Sequence, residues 1–231
     1  MTATERHMRG DLAVLLESSN WAGARAGIRA LPAEPVANML PAFLCSADPR
    51  VRWRAVQAMG DTLERMGDAD MESARRVLRR LLWSLNDESG GIGWGSAEAM
   101  GEAVARHGGI AREFGPILMA LLREDGYHLQ YAPAAMQQGA LWAVCRAAAA
   151  RPGLLDDQAE YLVEYLDAPD PATRALAARA LGLLRCSIAK PRLSTLIHDK
   201  TQVVVDSPSG PQSTTVSREA LSALDAINAS Q

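Results

Sequence analysis

A chain of 231 residues that is 48% hydrophobic but only 5% aromatic, with alanine and leucine carrying most of the apolar content, points to close helix-to-helix packing. Its 24 basic against 27 acidic residues leave a net charge of −3, which excludes a global positive field and disfavours nucleic acid as a partner. Cys45, Cys145 and Cys186 are odd in number and widely spaced, the start from Met1 to His7 is polar, and no stretch reaches roughly 18 apolar residues without a charge, so buried thiols in a cytoplasmic protein with no membrane span are expected.

Taken in chain order, Asp11 to Glu17 and Trp21 to Leu31 form an irregular first helix pair, expected to cap the N-terminal end over residues 1–33. Val36, Met39, Leu40, Phe43 and Leu44 then recur at helical spacing. Asp48 and Pro49 follow as a helix start, the aspartate to cap orphan amides and the proline to take the first helical position. The helix beyond them holds Ala55-Val56-Gln57-Ala58-Met59-Gly60.

The alternation continues. Val77, Leu78, Leu81, Leu82 and Leu85 precede Ser96-Ala97-Glu98-Ala99-Met100-Gly101, and Ile117, Leu118, Leu121 and Leu122 precede Ala140-Leu141-Trp142-Ala143-Val144-Cys145. Leu155, Tyr161, Leu162 and Leu166 lead to a second capped start at Asp170-Pro171 and to Ala177-Ala178-Arg179-Ala180-Leu181-Gly182. Leu193, Leu196 and Ile197 open a last unit whose second helix carries Ala220-Leu221-Ser222-Ala223-Leu224-Asp225. Between those last two helices, two β-branched runs around Pro208, Gly210 and Pro211 predict a β-hairpin over residues 202–216, read as a cap on the array or as an edge for a partner's strand.

The final residues of these signatures lie 41, 44, 37 and 43 positions apart, the period of stacked helix pairs. The expected fold is all-α, an α-α superhelix of about six pairs forming one domain over residues 1–231, with repeats across 34–197 and a C-terminal repeat, 198–231, that carries the hairpin.

The tandem pairs, the Asp-Pro starts and the Ala180-Leu181-Gly182 ending resemble HEAT-like repeats of the phycobilisome-lyase type over nearly the whole chain. So does the last unit, in which Asp199-Lys200 leads into a hairpin and then Thr215-Val216, Ala220-Leu221 and Ala223-Leu224. The resemblance implies a fold more than a function, since related repeats occur in bilin lyases, a DNA glycosylase family, deoxyhypusine hydroxylases and plain scaffolds. It also implies that the second helix of each pair lines an inner, concave face.

Aligned on their signatures, the second helices put Trp53, Trp94 and Gln138 in one register, Gln57, Glu98, Trp142 and Arg179 in the next, and Asp61, Glu102 and Arg146 in a third. Residues four apart share a helix face, so the three rows form one stripe across neighbouring repeats. Indoles beside carboxylates and amides suit a ligand or peptide with flat and cationic parts. The plain structural reading is that the indoles fill gaps between helices and the charges form a solvated face.

Where the third repeat should have a short turn, Asn86 to Gly95 places Ser89, Gly90, Gly91, Gly93 and Trp94. Glycines there leave amides accessible beside a helix N-terminus, where an anion can bind. The run is neither a dinucleotide fingerprint, lacking a preceding strand and the third glycine, nor a P-loop. Tyr127, His128 and Tyr131 in the next unit could wall a pocket shared with this loop, or simply belong to a longer connection.

His7, His107, His128 and His198 are scattered, with no His-Glu pair and no paired cysteines, so no metal or cofactor is expected and the hydroxylase reading falls away. No complete catalytic motif is present. The expected function is a non-catalytic adaptor or scaffold that binds a protein or peptide on the concave face. The alternatives are a bilin-lyase-like cofactor-attachment factor and a DNA-glycosylase-like enzyme on the same tryptophan and glutamate surface, the latter drawing on Arg25, Arg29, Arg50, Arg52, Arg54, Arg75, Arg76, Arg79 and Arg80 for positive charge.

Overall fold

The computed structural model describes residues 3–86, 93–126, 129, 132–207 and 210–229. The first pair is α1 (Ala3–Glu17) and α2 (Trp21–Ala30). The second is α3 (Ala33–Met39), continued by α4 (Pro41–Leu44), and then α5 (Pro49–Ala69). Next come α6 (Met71–Ser84) with α7 (Ser96–Arg106), and α8 (Gly108–Ala120) with α9 (Ala134–Ala150). The 3-10 helix Asp156–Asp167 pairs with α10 (Pro171–Leu183), and α11 (Lys190–Leu196) with α12 (Val216–Asn228), the strands β1 (Gln202–Val205) and β2 (Gln212–Thr215) standing between the last two.

The second helices stack in order, α5 on α7, α7 on α9, α9 on α10 and α10 on α12. The signature glycines and alanines explain the closeness of that stack. A Cβ on Gly101 would lie 2.6 Å from Cα of Ala143, and one on Gly182 2.6 Å from Cα of Ala223, so helix backbones meet where a larger side chain would hold them apart. Alternate signature positions, such as Ala99, Met100 and Val144, fill the continuous core between inner and outer helices.

Both Asp-Pro starts work as expected: the Asp48 carboxylate accepts from the Arg50 amide at 2.8 Å and Asp170 from the Thr173 amide at 2.7 Å. Two outer segments differ from the sequence expectation. Leu155 to Leu166, read as an ordinary helix, is wound as a 3-10 helix, and the helix expected over Val36 to Leu44 is divided at Pro41, whose ring has no amide to continue the ladder.

The hairpin pairs Gln202 with Thr215 and Val205 with Gln212, burying Val203 and Val205 while Val204 faces out. Strand β1 packs on α10, and beyond it Arg52 at the start of α5 donates to Asp206 at 2.6 Å, joining residues 154 apart in sequence. The hairpin therefore docks on its own chain and ties the last repeat to the second. Among the described residues, no helix is long and apolar enough to cross a membrane, and no group of three His, Cys, Asp or Glu side chains could hold a metal ion.

Candidate functional site

Helix α7 lies at the centre of the stack and opens the site. Its N-terminus is set by Gly95, whose φ of 78° is open to glycine at little cost and which lies so close to Leu44 that a Cβ would stand 2.9 Å from the Leu44 carbonyl oxygen. Trp94, immediately before, is 45% exposed, whereas Gly93 is buried. Ser89, Gly90, Gly91, Tyr127, His128 and Tyr131 lie outside the described residues.

Two rings meet across the stack of inner helices. Trp53 of α5 and Trp142 of α9 meet at a centroid distance of 4.7 Å with planes tilted by 55°, although α7 separates their helices in the stack. The inner helices must converge on this side for that contact to form. Both indoles are buried, so the gap-filling reading applies to them, while Trp94 alone of the three presents its ring to solvent. Among the described residues, the buried Trp53 Nε1 donor has no hydrogen-bond partner.

The third row is not the solvated set of charges that the sequence suggested. Asp61 and Glu102 are each 1% exposed and neutralised from within. Arg25 donates to Asp61 at 2.6 and 2.8 Å, Arg29 adds a bond at 3.0 Å and Arg106 an ion pair at 3.2 Å. Arg106 also reaches Glu102 at 2.5 Å, and Arg146 closes the ladder on Glu102 at 2.9 Å. Burial pushes the Asp61 carboxyl up, but the bond from Arg25 and the charges of Arg106, Arg25 and Arg29 outweigh it and hold the group below its ordinary range.

Other polar members are also engaged. Gln57 accepts from the Trp21 indole at 2.8 Å, Gln138 donates to Asp170 at 2.8 Å, and Arg179 makes two bonds of 2.9 Å to Glu219. Trp21 and Arg25, which the sequence reading named but did not place in the stripe, belong to it: α2 is its first inner helix, and its step to α5 is 36 residues for both the Trp21–Gln57 and the Arg25–Asp61 contacts. That shorter step hid them from a register built on the longer period.

Glu98 is different. Among the described residues its carboxylate has no side-chain hydrogen bond and no ion pair, although it is partly buried. It rests against the backbone of α9, where a Cβ on Gly139 would come within 2.8 Å of its Oε2. Desolvation raises its pKa, only partly countered by the amides of Glu98 and Gly95 and by the charge of Arg52, while Asp206 pushes it further up.

No family model matches the chain, and no curated protein matches its sequence. Solved structures do resemble it. An engineered protein aligns over 99% of this chain and 98% of its own at 20% identity and a TM-score of 0.52. A designed armadillo repeat protein covers 94% and 98% at 16% identity and a TM-score of 0.51. A second designed armadillo repeat protein, solved in complex with the peptide (KR)4, covers 94% and 98% at 19% identity and a TM-score of 0.50. At such identities the likeness concerns the fold, and the fold class is plain: this chain is an all-α helical-repeat solenoid.

Proposed function

We propose that the protein is a non-catalytic binding scaffold that holds a peptide or protein segment on the concave face of its solenoid, through Trp94, Glu98 and the stripe around them. The finer reading of the repeats as HEAT-like units of the phycobilisome-lyase type belongs to the same proposal, as does a reducing compartment such as the cytoplasm. Three unbridged cysteines support the latter, burial raising the thiol pKa of Cys145 to about 12.

The observation that carries the proposal is an exposed indole, Trp94, just before α7, followed four residues on by Glu98, a partly buried carboxylate with no side-chain hydrogen bond or ion pair among the described residues. The (KR)4-bound armadillo design supports it as an example of a similar solenoid used for peptide recognition. Acid/base work by the Glu98 and Glu102 pair is disfavoured, because Glu102 is engaged by Arg106 and Arg146.

The test is affinity capture from native lysate with the wild-type chain and with Trp94→Ala/Glu98→Ala, helicity being checked by circular dichroism. Partners lost only from the variant support the reading. Identical sets of captured partners from both folded proteins contradict it, and a bilin or haem chromophore on the purified chain would favour the enzyme alternative.

A further inference from the structure

Every inner helix from α5 to α10 has a further inner helix stacked on it, and the register shows which side it hides. The position four before the end of each signature is Val56, Ala97, Leu141 or Ala178, none more than 2% exposed. In α12 the same position is Leu221, which is 48% exposed. The last position of the signature is a buried glycine in α5, α7 and α10 and the buried Cys145 in α9, but in α12 it is the exposed Asp225.

An added helix in the register of the array does not fit against that face. A Cβ on Gly101 or Gly182 would already stand 2.6 Å from the backbone of the following inner helix, so the Asp225 side chain holds a parallel successor away. The face is instead complementary to itself. Arg218, Leu221, Ser222 and Asp225 are all exposed and follow one another at spacings of three, one and three, which puts them on one side of α12. Among the described residues, neither the Arg218 guanidinium nor the Asp225 carboxylate has a hydrogen bond or ion pair. The charge of Arg218 is felt by Glu219, but the oxygens of that carboxylate already accept from Arg179 and Thr214.

Two such helices laid parallel would set Arg218 against Arg218 and Asp225 against Asp225. Laid antiparallel about a twofold axis that passes between Leu221 and Ser222, they set each Arg218 opposite the other copy's Asp225 and each Leu221 opposite the small Ser222. The two ion pairs then stand about 10.5 Å apart along the helix, seven residues of rise, with the leucines between them.

We infer that a second copy of this chain docks on α12, antiparallel to it, and closes a twofold dimer through two Arg218–Asp225 ion pairs flanking Leu221. The contact uses the end of the array and leaves Trp94 and Glu98 to a different partner.

Sedimentation equilibrium of the full chain tests it, at concentrations up to about 100 μM to suit an interface of one helix pair. The wild type should approach twice the chain mass and go no higher, since a twofold contact closes on itself. Leu221→Glu, Arg218→Asp and Asp225→Arg should each weaken the dimer by about tenfold or more. The double variant Arg218→Asp/Asp225→Arg reverses both pairs and keeps their match, so it should bind more tightly than either single variant. Its new charges also suit the two ends of the α12 dipole, and circular dichroism should show wild-type helicity in every variant because the substituted side chains are exposed. Val14→Glu, at an exposed valine of α1, should leave the dimer as it is.

A wild type that stays monomeric, an open series of larger species, a dimer indifferent to Leu221→Glu, or a double variant no tighter than its single parents overturns the inference.

Discussion

The Asp61–Glu102–Arg146 row and the Gln57–Glu98–Trp142 row lie one helical turn apart on the same three helices, yet they settle their charges in opposite ways. In the first, every carboxylate meets an arginine from its own or a neighbouring repeat, and the ladder runs from Arg25 through Asp61, Arg106 and Glu102 to Arg146. In the second, the repeat after Glu98 offers an indole, which turns to Trp53, and among the described residues no side chain hydrogen-bonds or ion-pairs with the carboxylate. The contrast separates a row that holds the stack together from one with capacity left for a ligand. Residue type does not distinguish them, since glutamate serves in both; the side chain offered by the next repeat does.

The comparison can be broken hardest at its two anchors. Trp142→Ala removes a buried indole and its contact with Trp53, at an expected cost of about 3–5 kcal/mol in urea unfolding. Glu102→Gln leaves Arg146 without its carboxylate and Arg106 with Asp61 alone, and should cost about 3–5 kcal/mol by the same measurement. If Glu102→Gln were as stable as wild type, the ladder would not be a structural element.

Gly101→Ala should follow at about 1–3 kcal/mol, because the new methyl meets the Ala143 backbone. Asp206→Asn breaks only a partly buried pair with Arg52. It should shift global stability by under about 1 kcal/mol while raising amide exchange in β1 and β2.

The smallest effect carries the most informative sign. Burial holds the Glu98 pKa above its ordinary 4.5, so between these two values the folded chain keeps a proton that the unfolded chain has released. Its contribution therefore falls as pH rises through that window. Glu98→Gln should melt higher than wild type at neutral pH and match it below about pH 4.5. Asp61 acts in reverse: its depressed pKa gives stability present above its ordinary 3.8 and lost as pH falls further.

Much of the architecture was legible in the sequence. The small-residue signatures mark α5, α7, α9, α10 and α12 because only such residues let inner helices approach so closely, and the Asp-Pro starts and the hairpin carry their own local chemistry. The outer 3-10 helix was not legible, since its leucines repeat at a spacing that an α-helix would also show. The stripe itself could be read from register, but which of its charges cancel could not. Asp61 is neutralised partly by the irregular first pair, through Arg25 and Arg29. Arg52 is engaged by a hairpin residue 154 positions away, a contact that no local pattern announces.

A carbon-detected NMR pH titration of the side-chain carboxyls of Asp61 and Glu98 in the full-length protein tests the contrast most directly. The account predicts that Glu98 titrates above 4.5 and Asp61 below 3.8. A Glu98 carboxyl that titrates at or below its ordinary value would mean that a cation of the chain already serves it, and the two rows would then be alike.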